Sequence, residues 1–215
     1  MENINISFFI ISFSSLFALI NPLGISPVVL SITEDLDEND YNYAIKRGAC
    51  FATIILLAFA CMGELIFKFY GLTIHAFKIA GGILFLRAGL DMLYAKTSRT
   101  KTTPQEEKEA NDLSDISIAP IGIPLIAGPG AITSVMLLSY QANTIYERIL
   151  FYLNIIFVLS ITYFILKLAK KISKRFGTTG IRVIQRIMGL ILMVLAVQFI
   201  INGVDPIVKG WISTI

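Results

Sequence analysis

Between Ile6 and Ile32 the chain carries no ionisable side chain, and within that stretch stands Asn21-Pro22-Leu23-Gly24. A run of this length and character matches the roughly 30 Å hydrocarbon core of a bilayer. No water solvates backbone N–H and C=O groups there, so only helices or closed barrels are stable. Proline cannot donate into a helical ladder, and its ring strains the preceding turn. The first span is therefore expected to be two half-helices. The same interruption recurs as Gly128-Pro129-Gly130, 107 residues on (Pro22 to Pro129), inside the charge-poor stretch from Ile116 to Tyr140. At that offset Ile74 pairs with Ile181, Gly82 with Gly189, Phe69 with Phe176, and the basic Lys68 with Arg175. Because 107 is close to half of 215, the chain reads as two copies of one unit.

Further charge-poor stretches run from Ile149 to Leu166 and from Ile187 to Val204, and two interrupted by charges run from Gly48 to Phe67 and from Leu72 to Tyr94. Charged residues make up only 15% of the chain, against roughly a quarter in an ordinary soluble domain. The expected fold is an all-α polytopic membrane protein with six transmembrane helices, of which helices 1 and 4 are broken. Residues 1–94 form the first three-helix repeat, 95–115 a solvated cytoplasmic linker and 116–215 the second repeat. An odd number of spans per copy makes the repeats inverted, an architecture shared by many alternating-access carriers. The N-terminus lacks a basic n-region and its only early charge is Glu2, so it is read as part of the first span and not as a cleaved signal.

With six spans, 13 of the 18 Lys and Arg residues fall on one side: Lys46 and Arg47, Lys96 to Lys108 in the linker, and the cluster from Lys167 to Arg186. Basic loops face the cytoplasm, which puts both termini outside. The Lys167–Arg186 cluster is expected to be a lipid-facing loop. A net charge of +3 requires no nucleic-acid partner; the expected partners are the bilayer and a small-molecule substrate, with homo-oligomerisation left open. Tyr94, Tyr140, Tyr146 and Trp211 fall at span ends, where an aromatic belt belongs.

The two breaks are the candidate substrate site. Asn21-Pro22 and Gly128-Pro129 read as an N-cap followed by proline at the first helical position. A half-helix restarted inside the membrane points free N–H groups and a positive dipole end inward, which suits a carboxylate. Gly24, Gly128 and Gly130 keep that backbone approachable, and Ser26, Thr133 and Ser134 add hydroxyls in the next turn. The plainer alternative is a pair of proline kinks. Arg87 and Asp91, four apart on the third span, are either a structural pair or a gating element. Gln198, at the repeat offset from Asp91, and Asn202 give the last span a polar face, read as bundle-facing hydrogen-bond partners. Glu64, near the outer end of the second span, is either solvated or a proton-coupling carboxylate. Cys50 and Cys61, about 16 Å apart along one helix, are apolar filling. No Walker loop, His-rich metal spacing or Gly-x-Ser-x-Gly elbow occurs, so no enzyme activity, metal or cofactor is expected.

Asn21-Pro-Leu-Gly, Ile79-Ala-Gly-Gly82, Ile123-Pro-Leu-Ile-Ala-Gly-Pro-Gly-Ala-Ile132 and the stretch Arg186-Ile-Met-Gly to Asn202-Gly203 together resemble the MarC family of bacterial integral membrane proteins. The resemblance covers almost the whole chain. It implies a six-span inner-membrane protein in a family classed with small neutral amino acid transporters. The functional expectation is a secondary transporter of such solutes working by alternating access. The rival expectation is a non-transporting accessory protein linked to stress, or a passive channel.

Overall fold

The computed structural model describes residues 2–94, 116–142 and 144–212, so the linker lies outside the described residues. Eight helical segments follow one another: α1 (Glu2–Ile20), α2 (Pro22–Ile32), α3 (Glu38–Tyr70), α4 (Ile74–Leu93), α5 (Ser117–Ile126), α6 (Pro129–Gln141), α7 (Ile145–Lys167) and α8 (Ala169–Ile212). Local chemistry sets their ends. Asp37 caps α3 through the Asp40 N–H at 2.8 Å, and Gly71, at φ 63°, closes it in the left-handed conformation that glycine adopts without strain. Thr73 caps α4, and Thr144 with Glu147 forms a reciprocal capping box on α7, both bonds 3.1 Å long.

By length and composition four helical stretches can cross a membrane: Ile6–Ile32, Glu38–Gly63, Ile145–Lys167 and Thr179–Ile212. The pair α5 and α6, bent by 59° at its break, makes a fifth if it counts as one span. Helix α4 carries Lys78, Arg87 and Asp91 within its 20 residues and is not among them. The Lys167–Arg186 segment departs from the expected loop. It is helical apart from the turn at Leu168, between α7 and α8, and an interruption at Gly177, φ 62° and ψ 176°, and its charges are exposed on the helix surface, where water can solvate them.

Side-chain contacts give the helix directions. Phe8 meets Phe151, Asn154 bonds Ser12, and Phe13 meets Phe157, so α1 and α7 run parallel. Gly48 lies against Ile121, Gly63 against Met136 and Phe67 against Tyr140, so α3 runs parallel to α5 and α6. Tyr41 of α3 donates to the Leu166 carbonyl of α7 at 2.6 Å, while Thr53 shares a cleft with Ile156, which makes α3 antiparallel to α7. It follows that α1 and α6 are antiparallel. Helix α4 lies antiparallel along α8 on small residues: Gly82 faces Ala196 and Ile200, Gly89 faces Gly189 and Met193, and Gly203 faces His75 and Ile79. Small residues let helix backbones approach closely, which is how dispersion holds helices together where lipid removes any hydrophobic advantage. The buried core gathers Leu16, Ile20, Ile45, Leu56, Phe85, Ile121, Leu137, Phe151 and Ile155, drawn from α1, α3, α4, α5, α6 and α7.

Candidate functional site

Pro22 of the first break is buried, whereas Pro129 of the second is exposed beside the buried Gly128 and Ala131. Asn21 adopts φ 50°, ψ 60°, and its Oδ1 accepts the Gly24 N–H at 3.1 Å, while its own N–H donates to Phe17 O at 2.9 Å. Asparagine enters this left-handed region more readily than most residues, and its short side chain can cap the helix that follows. Pro22 is buried at the first position of α2, and Ile25 N–H donates to Asn21 O. Only Leu23 in that turn is left with an N–H that has no acceptor within its helix.

The second break is more open. Two prolines in α5, Pro120 and Pro124, follow cis peptide bonds, and Ala119 and Ile123 leave helical geometry. The ladder there widens, with Ala127 N–H reaching back five residues to Gly122 O at 2.9 Å. Gly128, extended at φ −76° and ψ 169°, precedes Pro129 and offers no side-chain cap. Ile132 N–H closes on Gly128 O at 3.0 Å, so the N–H groups of Gly130 and Ala131 have no acceptor within α6. The positive end of α6 thus presents two backbone donors, against one at α2.

The fold brings the breaks together. A Cβ on Gly130 would sit 3.0 Å from Cδ2 of Leu19, two residues before Asn21. A Cβ on Gly24 would run into the amide groups of Asn21 and of Gln185. Gln185, on α8, is thus a third polar group at the first break. Its sequence neighbourhood hid it: it falls in the basic stretch expected to be a loop, and only the helical course of α8 carries it back to α2.

The other candidates fall in different places. Ser26 is buried, and its Oγ donates to Leu23 O at 2.8 Å within its own helix. Thr133 turns its methyl to Gly81 of α4. Ser134 is fully buried with no hydrogen-bond partner for its Oγ, a state shared by Ser15 Oγ on α1 and Asn154 Oδ1 on α7. Arg87 is exposed on α4, Asp91 is half-buried, and among the described residues no ion pair links the two. Gln198 and Asn202 correct the expectation of a bundle-facing polar stripe: both are exposed on α8, and Gln198 Nε2 donates to Asn202 Oδ1 at 2.8 Å. Two amides on one outward face satisfy each other at a spacing of four, which lets small and apolar residues such as Ala196 and Phe199 face inward. Glu64 falls in α3, with its side chain outside those described. Among the described residues no cluster of His, Cys, Asp and Glu has the makeup of a metal site. Cys50 and Cys61 are free and exposed.

Relatives of this chain are spread over bacteria and archaea. A UPF0056 membrane protein of Methanocaldococcus jannaschii is 41% identical over 200 residues, covering 93% of this chain and 97% of the relative. One of Bacillus subtilis is 37% identical over 208 residues (95% and 99%), and one of Escherichia coli is 33% identical over 201 (94% of each). No solved structure matches the chain. The family model described as MarC family integral membrane protein matches residues 6–208, so the chain, with its several apolar membrane helices and paired proline breaks, belongs to the MarC family.

Proposed function

We propose that this protein is a secondary transporter of small solutes, with small neutral amino acids as the substrate class, working by alternating access around the two breaks. The observation that carries the reading is the approach of the two breaks, the end of α1 at Leu19 lying against the start of α6 at Gly130. The open N–H groups of Gly130 and Ala131 take the substrate carboxylate, aided by the dipole of α6. Asn21 and Gln185 close the other side with amide groups that hydrogen-bond a zwitterion at no charge penalty. Without an ATP-binding loop in the sequence, an ion gradient drives the cycle.

The reading includes six spans in two inverted repeats, with α4 as the sixth. Its support is a symmetry in the contacts between α4 and α8. Exchanging copies by the 107-residue offset turns the pair Gly82–Ala196 into Gly189–Gly89, and Gly82–Ile200 into Gly189–Leu93. A Cβ on Gly82 would stand 2.8 Å from Ala196 O and 3.2 Å from Ile200 N; one on Gly189 would stand 2.8 Å from Gly89 O and 3.0 Å from Leu93 N. Such correspondence is what a two-fold axis between the third helices of two copies produces. Both termini lie outside the cytoplasm in this arrangement, following the basic residues.

The test is uptake of labelled amino acids into proteoliposomes with and without a cation or proton gradient. Free acids should compete for uptake and their amides, which lack the negative charge, should compete poorly. Gly130→Leu should abolish uptake and Thr133→Val should weaken it, with folded protein recovered in both. Equal competition by acids and amides would remove the carboxylate site, and full uptake by Gly130→Leu would reduce the breaks to kinks.

A further inference from the structure

Many hydroxyl groups in this bundle donate to a backbone carbonyl. Ser12 donates to Phe9 O, Ser26 to Leu23 O, Thr33 to Val29 O, Thr53 to Ala49 O, Ser160 to Ile156 O and Thr162 to Val158 O, all between 2.6 and 3.0 Å. Ser15 and Ser134 do not, although both are fully buried. The two stand at the same level of the bundle. Helices α1 and α6 are antiparallel with Leu19 against Gly130, so one turn further along each, about 6 Å, brings Ser15 level with Ser134.

Two further buried atoms among the described residues lack a partner, His75 Nδ1 on α4 and Oδ1 of Asn154 on α7, and Asn154 is fully buried. Its Nδ2 donates to Ser12 Oγ at 2.6 Å and lies 3.4 Å from Phe9 O. A carbonyl can only accept, so the amide nitrogen must face α1 at Phe9, and Oδ1 is left as an acceptor with no donor. Ser12 and Ser15 are three apart on α1 and share a face. Unpartnered oxygens are therefore carried by three helices, with Ser15 level with Ser134 and one turn from Ser12, the residue that Asn154 bonds. A buried polar group without a partner is costly, and three at neighbouring levels of the bundle point to a ligand that is itself a donor or a positive charge.

We infer that Ser15, Ser134 and Asn154 form a binding site for a small monovalent cation, an alkali metal ion or a primary ammonium group. Hydroxyl and amide oxygens are hard, neutral ligands, suited to hard cations. The charge must be single, because the solvation lost on burial grows steeply with charge and no carboxylate offsets it. Glu147 is the one buried acid among the described residues, and it lies seven residues from Asn154, bonded to Thr144 N–H at the start of α7. The positions 107 residues away from Ser15, Ser134 and Asn154 are Gly122, Pro27 and Arg47, which cannot build the same set. The site therefore occurs once and is not a by-product of repeat packing. Binding rests on this geometry alone; a role as coupling ion, or as the seat of a substrate ammonium, rests on the transport reading.

The experiment is thermal unfolding of the purified protein in detergent, without substrate, in sodium, potassium, methylammonium or choline chloride at equal ionic strength. Sodium or methylammonium should raise the midpoint over choline by roughly 5–10 °C at about a hundredfold excess over the dissociation constant. A response to sodium alone assigns an alkali ion, and a response to methylammonium alone assigns an ammonium group. Ser15→Ala and Ser134→Ala should fold, since neither hydroxyl bonds within the protein, yet each should weaken the cation affinity at least tenfold. Ser160→Ala, whose hydroxyl bonds Ile156 O on an exposed face, should keep the full response. Identical wild-type midpoints in all four salts would overturn the site, as would an undiminished rise in both alanine variants. Either result leaves the transport assay free to succeed or fail on its own.

Discussion

Replacing Gly189 with alanine tests one of the close helix contacts in the molecule. A Cβ there would lie 2.8 Å from Gly89 O, 3.0 Å from Leu93 N and 3.0 Å from Met92 Cβ. Two of these neighbours are backbone atoms, so no rotamer change relieves the clash and α4 must move away from α8. Ordinary carbon–oxygen contact is about 3.3–3.6 Å, which sets the shift at roughly half an ångström along an interface spanning most of α4. Overpacking of this kind costs about 1–3 kcal/mol, and the better helix propensity of alanine returns roughly 0.5–1 kcal/mol. The net expectation is about 1–2 kcal/mol of destabilisation, a five- to thirtyfold drop in the folding equilibrium. Gly210→Ala, on the same helix with nothing within 4 Å of its Cβ position, is the control and should be neutral or slightly stabilising. Gly89→Ala presses on the same contact from the other side, its Cβ position 2.9 Å from Gly189 O. Once the helices have parted for one methyl the second costs less, so the double variant should lose less than the sum of the singles. Unfolding in mixed detergent micelles measures all four variants. Equal stability of Gly189→Ala and Gly210→Ala would refute the close-packed interface and, with it, the symmetry argument drawn from it.

Asn21 combines a left-handed backbone with a cap, and the two separate by substitution. Asn21→Gly should lie within about 0.5 kcal/mol of wild type, whereas Asn21→Ala should lose roughly 2 kcal/mol, about one for the cap and one for the left-handed backbone, in the same unfolding assay; equal losses would show that the strained φ carries no cost. Topology is checked by single-cysteine labelling in a background without Cys50 and Cys61. Positions 1 and 215 should label from outside and 101 and 171 from the cytoplasm, while a cytoplasmic position 215 would exclude the inverted repeat.

Much of this protein was legible locally. Pro22 and Pro129 break helices wherever they stand, Asn21 caps the residue three ahead of it, and Asp37, Gly71, Thr73 and Thr144 set helix ends through atoms within a few residues of themselves. None of these interactions needs a distant partner, and the sequence alone determined them. What the tertiary structure decided was which face of each helix points inward. In a soluble helix a polar stripe marks the outside, but lipid is as apolar as the core, so a membrane helix has no such stripe and its rotation is set by small residues allowing close approach. Gly82, Gly89, Gly189 and Gly203 turn α4 and α8 toward each other. That rotation sends Gln198 and Asn202 to the surface, where a polar pair in a sequence suggested an interior seam. The same freedom explains why Ser15, Ser134 and Asn154 are unremarkable one at a time in the sequence. Their burial at neighbouring levels of the bundle depends on three helix rotations at once, and only packing determines those.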